Sequence, residues 1–474
     1  MTAINPSSAP SPRLPLWTKA AYGFADTGIN VFVIFKGLLI LAFMVQYAGI
    51  DPALAGWITS SVLVLDIITD PVMGWVSDRT GGRFGRRHPY IFSGAVLMVA
   101  LMVLTFAVPA GLGPQATALW ILLFFGLSSI AFTMVAIPYS SLAVEITDSP
   151  RERSTMTGWR MAAAGLGILL TGGAFPILVN PGGLGLSHPV AILVYAPIII
   201  GTIWLACLAT YRFRNTRPTP PVSLGQQVAA ALRNRRFVVL VGVYGVQTIG
   251  IAIITAGIPF AAAELIITNG ATGVLATVYV LGAFSTAFAL FVLGSMLSQA
   301  VWVGLSAVFG KITTFVAGTL YYAVVLAGFF LVLPTTGMIE AGQTNLALIT
   351  LFIFLIGSAN GCYQQLPWAI MPDLVAWSAK REAFEVAGAF SGFWLLGQKV
   401  GNAIAPLFFT QILAAYGWIA TQDGGASADQ PDAAVAALRW SLTLVPAGLF
   451  AVSVPLYLWL DRRAKAAQNG RSTD

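Results

Sequence analysis

Long apolar stretches separated by short polar ones set the pattern of this chain. Twelve of them are long enough to cross the hydrocarbon of a bilayer, which takes about 20 consecutive apolar residues as a helix. They cover approximately residues 17–48, 53–76, 89–110, 114–146, 155–179, 189–211, 237–266, 272–303, 313–333, 343–375, 383–415 and 436–460. The pattern predicts an all-α membrane protein with 12 transmembrane helices. Composition agrees: 57% of residues are hydrophobic and only 9% charged, against about 25% charged in soluble domains. Residues 1–16 are polar and proline-rich, without the basic start and short apolar core of a secretory signal. The first apolar segment is therefore expected to remain as a helix.

The polar stretches alternate in charge. One set carries Arg13 and Lys19, then Arg79, Arg83, Arg86 and Arg87, then Arg151 and Arg153, a run of arginines from Arg212 to Arg236, Lys311, Lys380 and Arg381, and a basic C-terminus. The other set carries Asp51, Glu340, Asp423, Asp429 and Asp432, with Arg439 as its one basic residue. The positive-inside rule then predicts both termini and the 212–236 loop in the cytoplasm. The same distribution removes a nucleic-acid reading of the +7 net charge, because the basic residues sit where topology puts them. Cys207 and Cys362 lie in separate apolar segments and form neither a disulfide framework nor a metal motif. His88 and His188 flank apolar segments as interfacial residues.

Three features recur at offsets of about 225–230 residues. Phe84-Gly85-Arg86 matches Phe309-Gly310-Lys311, Ile137-Pro138-Tyr139 matches Leu366-Pro367-Trp368, and Arg151-Glu152-Arg153 matches Lys380-Arg381-Glu382. Three matches in one register argue for duplication. They predict an N-terminal six-helix half (1–211), a cytoplasmic linker (212–236) and a C-terminal six-helix half (237–474). Parallel six-helix repeats facing a central cavity are the major facilitator architecture.

The chemistry centres on Asp66-Ile67-Ile68-Thr69-Asp70-Pro71. Two carboxylates four residues apart share one helix face. Inside hydrocarbon such groups are costly and mark functional sites. Both stay ionised only with a cation or a positive partner nearby, so the pair reads as a cation or proton site. Other charges within spans are Asp26, Lys36, Arg160, Glu264 and Lys399. Lys399 is the expected counter-charge and coupling residue for the pair. Asp26 and Arg160 are expected to form a second polar cluster, whose acceptors and guanidinium fork suit sugar hydroxyls. Glu264 reads as interfacial, and Lys36 is left without a role. Tyr139 and Trp394 are candidate stacking platforms for a sugar face, and Gln364 and Gln398 candidate hydrogen-bonding groups. The Gly74–Arg87 stretch, with Asp78, Arg79, Arg83 and Arg86, is expected to form a gate of salt bridges that break as the halves rock.

These motifs resemble the glycoside–pentoside–hexuronide:cation symporter family, which includes melibiose-permease-like proteins. The resemblance runs over nearly the full length. It is carried by Asp66 to Trp75, the Asp78–Arg87 loop, Ile137-Pro138-Tyr139, Arg151-Glu152-Arg153, and Gly397-Gln398-Lys399-Val400-Gly401. It implies a cation site of Asp66, Asp70 and Thr133, coupling through Lys399, and substrate contacts at Asp26 and Arg160. Two positions depart from the galactoside-binding pattern: Ala136 stands where those relatives have aspartate, and Ser140 where they have tryptophan. Leu366-Pro367-Trp368 and Arg381-Glu382 resemble the animal lysolipid-symporter branch of the same broad family.

The expected function is secondary active transport, not enzymatic catalysis: Na+- or H+-coupled symport of a sugar- or glycoside-like solute by alternating access. An amphiphilic or lysolipid-like substrate is the alternative, and a membrane-embedded lipid-linked enzyme a more distant one. No cofactor is expected beyond the coupling ion, no metal beyond possible Na+ at Asp66 and Asp70, and no nucleic-acid partner. The chain is expected to work as a monomer in a bacterial-type inner membrane.

Overall fold

The computed structural model describes residues 14–147, 149–180, 183–213, 235–266, 274–335, 345–379, 387–422 and 429–468. No strand occurs among them. The described parts of the predicted spans are almost wholly helical. The first begins as α1 (Leu16–Ile34) and continues through π-helical turns at Phe35–Leu39 and Phe43–Tyr47. Then follow α2 (Pro52–Arg79), α3 (His88–Phe106), α4 (Pro114–Ile146), α5 (Pro150–Leu169, extended to Val179) and α6 (His188–Thr210). Later in the chain come α7 (Arg235–Glu264), the short α8 (Val274–Leu281), α9 (Ala283–Phe309), α10 (Lys311–Val332), α11 (Leu346–Ala379), α12 (Ala387–Ala415) and α13 (Asp432–Gln468). Among the described residues eleven helical stretches are long and apolar enough to cross a membrane; α12, 29 residues long, covers the remaining predicted span.

The eighth predicted span, 272–303, is not one helix. Gly282 separates α8 from α9 with extended backbone, and α9 runs on to Phe309. Hydropathy carries no trace of this break, because the residues on both sides of the glycine are equally apolar. The 212–236 linker and the Arg381-Glu382 motif lie mostly or wholly outside the described residues.

The chain divides into two compact units. The first holds the described parts of Met1–Lys36 and Leu65–Pro220, the second those of Gly37–Val64 and Pro221–Asp474. In the first, α1 packs on α5 and α6, and α3 on α4 and α6. In the second, α7 packs on α12 and α13, α9 on α11, and α10 on α11 and α13. Without a hydrophobic drive between helices in lipid, close approach depends on small residues. Gly23 illustrates this at the α1–α5 crossing: a Cβ there would sit 2.6 Å from Trp159 Cβ and 2.7 Å from its backbone carbon. That closeness brings Asp26, one turn further along α1, level with Arg160.

Candidate functional site

Most of the predicted polar residues gather in the first unit, in three clusters. The first joins α1 to α5. The Arg160 guanidinium reaches Asp26 with two donors, Nε to Oδ2 and Nη2 to Oδ1, the latter at 3.3 Å. Tyr139 donates its hydroxyl to Asp26 Oδ2 at 2.8 Å. Its ring stacks on Tyr22 at 4.7 Å between centroids, and the Arg160 guanidinium lies 4.7 Å from the Tyr139 ring centre. Asp26, Tyr22 and Tyr139 are buried, while Arg160 is partly exposed. One carboxylate, one planar cation and two phenolic rings thus form a compact group with donors, acceptors and a flat apolar face.

The second cluster is the acidic pair. Asp66 and Asp70 lie well inside α2, with nearly four helical turns before them and Pro71 accommodated within the helix. On α4 two hydroxyls repeat the same four-residue spacing. Ser129 donates to Asp66 Oδ1, and Thr133 donates to Asp70 Oδ1 at 2.8 Å. The result is a ladder of two rungs, each a carboxylate paired with a hydroxyl. Asp66 also carries a cation. Lys36 forms an ion pair with its Oδ2 and bonds the Ser129 hydroxyl. Lys36, to which the sequence assigns no role, comes 30 residues before Asp66 and in another span. Lys399 lies on α12 in the second unit.

The third cluster ties the charged end of α2 to α4. Glu145 Oε1 accepts from Arg86 Nε at 3.0 Å, Arg86 Nη2 at 2.7 Å and Arg87 Nε at 2.9 Å. Arg87 also pairs with Asp78 and bonds Ser77. All of these groups belong to the first unit. Of the four residues expected in the gate, Asp78 and Arg86 are in this network. Arg79 stacks on Trp75 at 4.0 Å and Arg83 on Phe84 at 4.7 Å. Glu145 and Arg87 are the hub, and Glu145 gave no signal in sequence beyond being a lone acid at the end of a span. Glu152 is buried and pairs with Lys19 at 2.7 Å. A carboxylate between two helix ends and a lysine is shielded by both.

In the second unit Trp394 is fully enclosed. It stacks on Tyr244 at 4.2 Å and meets Trp368 edge-on at 5.7 Å. As it stands it packs a core rather than lining a cavity. Gln364 is exposed and Gln398 partly so. A cleft of about 420 Å³ in this unit is walled by Leu297, Val301, Trp302, Tyr321 and Phe354 and contains none of the predicted site residues. Cys207 and Cys362 are buried and unbridged. Among the described residues no group of histidine, cysteine or acidic side chains is arranged to hold a metal ion.

A multi-pass helical membrane protein that keeps paired carboxylates and an arginine–carboxylate pair inside its spans has the marks of a transporter, since buried charges in membranes line substrate and ion paths. The chain belongs to the MFS/sugar transport protein family, whose model matches residues 21–460. It is 25% identical to the inner membrane symporter YicJ of Escherichia coli K12 over 92% of this chain and 89% of that one. It is also 25% identical to the glucuronide carrier protein homolog of the same organism, over 94% of this chain and 93% of that one. The crystal structure of the nucleoside transporter NupG has the same fold, with a TM-score of 0.64 over 94% of this chain and 99% of NupG, at 13% identity.

Proposed function

We propose that this protein is a cation-coupled symporter of a sugar- or glycoside-like solute, working by alternating access in a bacterial inner membrane with both termini in the cytoplasm. The observation that carries the reading is the two-rung ladder of Asp66–Ser129 and Asp70–Thr133 within the spans. Carboxylates with hydroxyl partners suit a small hard cation or a proton, and their burial makes occupancy costly to leave unbalanced. Asp70 and Thr133, with Asp66 one turn before Asp70 on α2, form the candidate cation site. Asp26, Arg160 and Tyr139 offer a solute hydroxyl acceptors and donors. The Asp78–Arg86–Arg87–Glu145 network biases the inward/outward equilibrium. Family membership and the symporter and glucuronide-carrier names of its relatives support the carbohydrate side of the reading.

The test is uptake of labelled glycosides and hexuronides into proteoliposomes under an imposed cation gradient, comparing wild type with Asp70→Asn. The amide cannot balance a bound cation, so accumulation is expected to vanish while exchange down a gradient partly survives. Accumulation by Asp70→Asn equal to wild type would remove the cation site from this pair.

A further inference from the structure

Lys36 has no role in the cation site as sequence predicts it, yet the structure puts it on one of the two carboxylates. We propose that Lys36 is a tethered cation: its ammonium occupies the Asp66–Ser129 rung, closes it to sodium, and makes this transporter sodium-independent. The inference rests on the symport reading above for its functional consequence and on geometry for its substance.

The two rungs are copies of each other. Asp66 and Asp70 stand four residues apart on α2, Ser129 and Thr133 four apart on α4, and each acid meets its hydroxyl at the same separation along the chain. Two equivalent carboxylate–hydroxyl rungs would ordinarily serve a cation between them. Lys36 breaks the equivalence. Its ammonium bonds Asp66 Oδ2 and the Ser129 oxygen, while the Ser129 hydroxyl donates its proton to Asp66 Oδ1. The three groups form a closed ring in which Asp66 accepts on both oxygens and Ser129 both accepts and donates. The Phe132 ring, with its centre 5.7 Å from Nζ, supplies a π face on a further side. Lys36 and Asp66 are each 7% exposed and Ser129 is fully buried.

An ammonium and a sodium ion carry the same charge, and a carboxylate, a hydroxyl oxygen and an aromatic face are partners both can use. Sodium must collect its oxygens from the site at each cycle, whereas Lys36 is covalently held beside them. The lysine therefore competes for the same oxygens as an intramolecular ligand, at an effective concentration independent of the sodium supply. The backbone is adapted to this placement. Lys36 sits in the π-helical turn Phe35–Leu39, and π turns inside α-helices are frequently found at functional sites. The extra residue per turn rotates the side chains after it relative to those of α1.

A neutral Lys36 side chain of similar length should leave Asp66 and Ser129 as ligands for a mobile ion. The probe is sodium itself, measured as binding of radioactive Na+ and as the thermal shift of the purified full-length protein when Na+ replaces choline at constant pH and ionic strength. Wild type is expected to show neither binding nor shift. Lys36→Met is expected to gain both Na+ binding and the Na+-dependent thermal shift, and Lys36→Met with Asp66→Asn to lose both again. Sodium binding by wild type overturns the proposal outright, whatever the variants do. So does a folded Lys36→Met protein that stays blind to sodium. The Asp70→Asn uptake test bears on the symport reading alone, so the two ideas fail separately.

Discussion

Replacing Asp26 by asparagine changes one atom and one charge in the Asp26–Arg160–Tyr139 cluster. The carboxylate now accepts from Arg160 Nε and Tyr139 Oη on Oδ2, and from Arg160 Nη2 on Oδ1. With the amide oxygen placed at Oδ2, the amide nitrogen faces Nη2 and that bond is lost. A hydrogen bond to a charged group contributes about 1.5–3 kcal/mol, and the remaining bond to Arg160 keeps roughly half its strength once the anion is gone. The sum is about 3 kcal/mol. If the cluster must hold this geometry to receive the solute, that corresponds to roughly a hundredfold weaker binding at 1.4 kcal/mol per tenfold. The assay is calorimetric or scintillation-proximity binding of the glycoside identified by the uptake panel, with the Tm of the same preparation as a check on folding. Asp26→Glu keeps the charge and should fall between the two. A purely structural pair would lower Tm and leave the Kd of the folded protein unchanged. A folded Asp26→Asn protein with wild-type Kd would therefore refute the assignment of Asp26 to the solute.

Glu145→Gln leaves two buried guanidiniums sharing an amide and the half-exposed Asp78. Breaking a buried ion pair costs about 3–5 kcal/mol, so a clear drop in Tm is expected, larger than for Arg83→Gln, whose partner described above is the Phe84 ring; equal Tm values would show that Glu145 does not hold the network. Melibiose should compete poorly with the native solute. Ala136 and Ser140 supply neither the acceptor nor the aromatic platform of galactoside-binding relatives, and Ser140 is exposed with its hydroxyl turned back to Ile137 O. Sub-millimolar competition by melibiose would contradict this, as would improved native transport in Ala136→Asp with Ser140→Trp.

The spans were legible because each is a property of consecutive residues: an apolar run of sufficient length has few alternatives to a membrane helix. The Asp66–Asp70 pair was legible for the same reason, since a four-residue spacing fixes a shared face before any tertiary contact exists. Asp26 with Arg160 could be guessed from two buried charges of opposite sign. What remained hidden depends on which helix faces lie together. Sequence suggests Lys399 as the counter-charge of Asp66 and assigns no role to Lys36. The Lys36 contact accompanies the π turn at Phe35–Leu39 and the α2–α4 juxtaposition that sets Ser129 beside Asp66. Neither leaves a mark in hydropathy or residue type. Ser129 itself is an ordinary helix serine in sequence, and Glu145 an ordinary acid at a helix end. Sequence shows which charges are buried, because burial follows from the run they sit in. It does not find which charge neutralises which, and in a cation-driven transporter that pairing decides whether a carboxylate is left for the coupling ion or is already satisfied by the chain.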